Sequence, residues 1–75
     1  MIYCVSFSDV LAFLEGAGFI QVGDTEADLI FLHGDGTVLT VHRPNQHGDI
    51  TEAAALAAFD AAEVDPPTFD VHWCD

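Results

Sequence analysis

Ala27-Asp28-Leu29-Ile30-Phe31-Leu32-His33-Gly34-Asp35-Gly36-Thr37-Val38-Leu39-Thr40-Val41-His42-Arg43 is the stretch that decides the fold. Residues 27–33 form an almost continuous apolar run of strand length, bounded by a glycine. Gly34-Asp35-Gly36 supplies the chemistry of a tight hairpin loop. Residues 37–43 then alternate as a half-buried strand does, with Leu39 and Val41 on one face and Thr40 and His42 on the other. Pro44 stops the second strand, since it lacks the N–H that a sheet ladder needs.

Upstream, Phe19-Ile20-Gln21-Val22 reads as a third short strand and Gly23-Asp24 as the turn leading out of it. A helix precedes it. Ser6 is placed as its N-cap, with Asp9 three positions on, and Phe7, Val10, Leu11, Leu14 and Ala17 fall on one helical face. Gly18 suits the left-handed position beyond the helix end. Downstream, Asp49 and Glu52 read as a second capping box opening a helix over residues 50–63, with Leu56 and Phe59 as its buried stripe. Asp65-Pro66-Pro67 ends it. Residues 2–5 and the tail with Phe69, Val71 and Trp73 at period two are weaker, β-like segments; the tail is either an added edge strand or a segment packed on the core. The expected fold is one acidic α+β domain spanning residues 1–75. It has a three-stranded antiparallel sheet with two helices on one face, in the order α-β-β-β-α, with short β-like termini.

That order resembles the double-stranded-RNA-binding-domain-like fold, and more particularly the HicA family of small bacterial mRNA-cleaving toxins. The resemblance is carried by four pieces: Phe13-Leu14-Glu15-Gly16-Ala17-Gly18-Phe19, Leu29-Ile30-Phe31-Leu32-His33, the Gly34-Asp35-Gly36 hairpin running into Val38-Leu39-Thr40-Val41-His42, and a Gly48 loop before an alanine-rich closing helix. They span roughly residues 6–63. In that family a Gly-Ser-His element at the start of the second strand carries the RNA cleavage. The matching positions here are Glu26-Ala27-Asp28. A carboxylate cannot replace an imidazole that shuttles a proton near neutral pH. The closing helix, which in such folds often presents Lys or Arg to phosphates, here offers Glu52, Asp60 and Glu63. The resemblance thus implies the fold and argues against the activity.

Charge narrows the function further. The 75 residues hold thirteen Asp and Glu against one Arg and no Lys, a formal net charge of −12. Ordinary phosphate-backbone binding needs cations and is excluded, and docking to anionic membranes is disfavoured. At 51% hydrophobic with six Phe, the chain is not intrinsically disordered. No apolar run approaches the roughly 20 residues of a membrane span. The first residues lack the basic cluster of a signal peptide, so the expected location is the cytoplasm of a bacterial host cell. In that compartment Cys4 and Cys74 are expected as free thiols, a disulfide requiring that the two ends of the chain meet.

No constellation with catalytic spacing is present. His33, His42, His47 and His72 are scattered, and only His42 and His47 approach metal-ligand spacing, without a Cys pair beside them. Cys4 has no histidine placed next to it by the sequence and reads as a small buried residue. Gly34-Asp35-Gly36 leads into a strand rather than a helix and has no following Lys, so it is not a phosphate loop. No catalytic residue, metal or cofactor is assigned.

The carboxylates remain. Helix caps explain a few of them, but not the near absence of positive charge, which costs stability by self-repulsion in a small domain. The expected function is that of a non-enzymatic nucleic-acid mimic. Its carboxylates would occupy the phosphate sites of a basic nucleic-acid-binding protein, such as a CRISPR effector subunit, without touching nucleic acid itself. The composition resembles that of small acidic phage inhibitors, anti-CRISPR proteins among them. The residues expected to engage the partner are Asp24, Glu26, Asp28 and Asp35 first, then Asp49, Glu52, Asp60 and Glu63. Phe69 and Trp73 are read either as a hot spot beside them or as core. Two alternatives stand: a catalytically inactive HicA-like relative that binds a protein partner, and a small domain adapted to a high-salt cytoplasm.

Overall fold

A computed structural model describes residues 2–74 of the chain. Its elements run β1 (Tyr3–Ser6), α1 (Phe7–Gly16), β2 (Phe19–Asp24), β3 (Asp28–His33), β4 (Val38–His42), β5 (Asp49–Thr51), α2 (Glu52–Ala62) and β6 (His72–Trp73). The fold is α+β, with two helices and two three-stranded antiparallel sheets.

The hairpin reading holds. β3 lies between β2 and β4, with Phe31 opposite Gln21 and Leu39. Gly36 takes the positive φ of 97° that the turn demands. A bulge inserts Val22 between the paired positions Gln21 and Gly23. Phe19, Leu29, Phe31, Leu39 and Val41 face the core, where Phe7, Val10 and Leu14 of α1 and Ala55, Ala58 and Phe59 of α2 meet them.

The second sheet corrects the single-sheet expectation. β1 is its central strand, in the order β5-β1-β6. Cys4 lies opposite Thr51 on one side and His72 on the other. The terminal segments that are weak in isolation therefore complete each other, and β1 buries Cys4 and Val5. The tail divides: His72 and Trp73 form the edge strand, while Phe69 packs on the core against Phe13 and Phe59. Trp73 stays exposed and stacks on Tyr3, ring centroids 5.0 Å apart.

Pairing of β6 with β1 brings the ends of the chain together. Cys4 and Cys74, with Cα atoms 5.0 Å apart, form a disulfide, which overturns the expectation of free thiols. Among the described residues no helix is long and apolar enough to cross a membrane.

Two helix boundaries move. α2 begins at Glu52 with Thr51 as N-cap, whose hydroxyl accepts from the Ala54 amide at 3.1 Å. Asp49 lies in β5 opposite Ser6, three residues before the helix, with its carboxylate on His72 rather than on a helix amide. α2 ends at Ala62 in a Schellman turn, with Glu63 N–H donating to the Asp60 carbonyl and Val64 N–H to that of Phe59. The buried stripe of α2 is Ala55, Ala58 and Phe59; Leu56, expected inside, is 43% exposed. At α1, Ser6 occupies the N-cap position, but its hydroxyl bonds Ser8 rather than the helix amides.

Candidate functional site

The four carboxylates expected to lead binding lie at the two ends of the β2-β3-β4 sheet, and of them only Asp28 stands on a row of its outer face. Along β3 the side chains alternate, so residues 28, 30 and 32 point away from the core that holds Leu29 and Phe31. On β4 the same alternation sends residues 38, 40 and 42 outward. The outer face is therefore built in rows: Ile20, Leu32 and Val38; then Ile30 and Thr40; then Asp28 and His42.

Asp24 ends β2 and Asp28 opens β3, with Glu26 in the turn between them. Thr25 organises it, its N–H donating to the Asp28 carbonyl at 2.8 Å and its hydroxyl accepting from the Asp28 N–H at 3.1 Å. Arg43, just past the end of β4, closes the turn, donating through Nε to the Thr25 carbonyl at 2.9 Å and through a terminal nitrogen to the Asp24 carboxylate. The chain's single Lys or Arg side chain is thus spent on one of its own carboxylates. Asp28 faces His42 across the strands, Oδ1 to Nδ1 at 3.5 Å. Glu26 is exposed at the tip.

Asp35 sits at the other end, in the β3–β4 hairpin. Its Oδ1 accepts from the Thr37 N–H at 2.9 Å, and its own N–H donates to His33 Nδ1 at 3.1 Å. Hydrogen bonds from the Thr37 backbone and side chain, aided by the nearby His33, hold the Asp35 carboxyl below the ordinary 3.8. His33 Nδ1 also lies 3.0 Å from Asp35 Oδ1, and its Nε2 donates to the Ala17 carbonyl at 3.0 Å.

The remaining four acids do not join this sheet. Asp49 is a structural partner of His72, Oδ2 to Nε2 at 3.0 Å, and ties β5 to β6 across β1. Glu52 begins α2, Asp60 lies in its last turn and Glu63 caps its C-terminus, beside a shallow groove with Leu56 and Val64. The eight residues are thus spread over the β2-β3-β4 sheet, β5 and both ends of α2. No charged side chain is buried among the described residues, and no three His, Cys, Asp or Glu side chains gather there. His42 and His47, the spaced pair in the sequence, separate into different roles: His42 faces Asp28, while the His47 N–H donates to Asn45 Oδ1 at 2.9 Å.

Sequence reasoning missed the apolar rows. Alternation in β4 signals them at Val38, but the outward Ile30 and Leu32 are hidden in a run where every residue looks like core. No protein-family model matches the chain, and no curated protein or solved structure matches it either.

Proposed function

We propose that the chain is a non-enzymatic acidic binding module that competes with nucleic acid for a basic surface on another protein. One observation carries this reading. Thirteen carboxylates face a single Arg, and that Arg is already paired with Asp24. The molecule therefore presents negative charge with no free Lys or Arg to offset it, the electrostatic character that a phosphate-binding groove selects. Anti-CRISPR inhibitors are one class of protein that acts this way.

A pull-down from bacterial lysate at low salt tests it, with elution first by a salt gradient and then by duplex DNA. A nucleic-acid-binding protein released by DNA, with retention falling steeply as salt rises, is the expected result. Failure of the folded chain to retain any basic protein refutes it. The proposal places the chain in a bacterial cytoplasm. Cysteines there are kept reduced, so the experiment is run with and without reductant.

The order α1, β2-β3-β4, α2 favours a second reading, a HicA-like domain without cleavage chemistry that binds a protein partner. Asp28 stands where that family's histidine would be. Under this reading the chain does not cut RNA, and restoring histidine at position 28 alone adds no cleavage, because the cations that hold RNA are missing.

A further inference from the structure

We propose that the outer face of β2-β3-β4 is the contact surface for that partner, and that the complementary patch is apolar at its centre and rimmed with Lys and Arg. The inference rests on the charge-driven reading above and goes further by naming where the partner sits.

The aliphatic row crosses all three strands. Leu32 lies opposite Ile20 on one side and Val38 on the other. These residues are 68% (Ile20), 38% (Leu32) and 64% (Val38) exposed, and the half-buried Ile30 continues the surface toward Thr40. An antiparallel sheet with one buried face ordinarily turns polar residues outward. A contiguous aliphatic row there is the mark of an interaction site.

Charge selects the occupant. One end of the face carries Asp28, with Glu26 in the adjoining turn, while Asp24 and Asp35 sit at the two ends of the same sheet on the side of Leu29 and His33. A second copy of this chain brings no free Lys or Arg to meet them, because Arg43 is paired with Asp24, and it adds another charge of −12. Nucleic acid brings phosphates to carboxylates and has no aliphatic surface to cover the row. A protein patch with basic residues around an apolar centre satisfies both features at once. The anatomy is that of an ordinary interface, a desolvated apolar centre inside a charged rim.

Defined peptides test this on the folded, isotope-labelled protein. The first probe is a peptide of alternating Lys and Val. The second, of equal charge, alternates Lys and Ser. The third alternates Glu and Val. The Lys-Val peptide is expected to shift the amide signals of Ile20, Ile30, Leu32, Val38 and Thr40, and to bind at least about tenfold more tightly than the Lys-Ser peptide. The double variant I20T/V38T, made at exposed strand positions with a β-prone residue, should weaken Lys-Val binding by about tenfold and leave Lys-Ser binding unchanged. T40V, which extends the apolar surface, should strengthen it.

Equal binding of Lys-Val and Lys-Ser peptides, unaffected by I20T/V38T, overturns the sheet-face proposal and leaves the charge-driven function standing. Failure of both basic peptides to bind overturns both. Equal binding of the Glu-Val peptide overturns the basic rim. A dimer in sedimentation velocity that dissociates in I20T/V38T makes the occupant a second copy and overturns the stated partner.

Discussion

Gly18 and His33 show how one missing side chain positions another. Gly18 has a φ of 96°, and a Cβ placed there would lie 2.8 Å from His33 Nε2. Only glycine leaves room for that ring to reach the Ala17 carbonyl. His33 in turn accepts from Asp35, so the end of α1 and the hairpin are joined through one imidazole. Gly18 as the residue after the helix cap was legible in the sequence; its service to His33 was not, since the two are fifteen positions apart. Glu63 is the opposite case. It holds a φ of 58° at a Schellman position where glycine is ordinarily found, a conformation that costs an L-residue about 1–2 kcal/mol. Asp35 yields a pH prediction. Its carboxyl is held below 3.8 in the fold, so its contribution is complete above the unfolded value and is lost as pH falls through the lower, folded one. Followed by NMR, the Thr37 amide should titrate with a midpoint under 3.8. A midpoint at or above 3.8 would show that the Asp35–Thr37 bond does not persist in solution.

The elements that were legible are those with room for a pattern. β4 and α1 show five or more residues of alternation or helical spacing, β3 is a long apolar run bounded by a glycine, and each is found close to its expected bounds. β1, β5 and β6 have four, three and two residues, too few for any period to register. Their pairing is set by contacts between distant parts of the chain. Asp49 was misplaced for the same reason: a capping signal is local, whereas its partners Ser6 and His72 are not. Among the candidate acids, the exposure of most was legible, but not the packing of Asp49 against His72 or their spread over separate elements. The edge strand β6 is held by the Trp73 stack on Tyr3, the His72–Asp49 pair and the Cys4–Cys74 bond. The bond spans 70 residues, and a crosslink over that distance contributes about 4 kcal/mol by restricting the unfolded chain. Replacing both cysteines, Cys4→Ser with Cys74→Ser, should therefore lower the unfolding free energy in urea by about 4 kcal/mol. A loss under about 1 kcal/mol would show that the unfolded chain already keeps its ends close.

At the scale of the molecule, charge and core pull in opposite directions. The core draws on both helices and both sheets, while a net charge of −12 pushes the surface apart. Screening relieves that repulsion. The urea midpoint should rise as salt goes from about 0.01 M, where the Debye length is about 30 Å, to about 0.15 M, where it is about 8 Å, and then level off. A chain that folds only in molar salt would instead be adapted to a saline cytoplasm, and its carboxylates would need no partner to explain them. The bulk charge was fully legible in the sequence. What the sequence concealed was the aliphatic row between the acids, because a strand apolar on both faces reads the same whether its outer face is covered or bare.

The junction of residues 4 and 74 turns nearly the whole backbone into a closed ring. A protease that nicks an exposed turn, such as Gly34-Asp35-Gly36, opens the ring without releasing a fragment. The nicked protein would stay one covalent molecule, with the pieces still held in register by strands drawn from both. Only reduction would let them part, so damage to this protein would stay silent until the chain met a reducing environment.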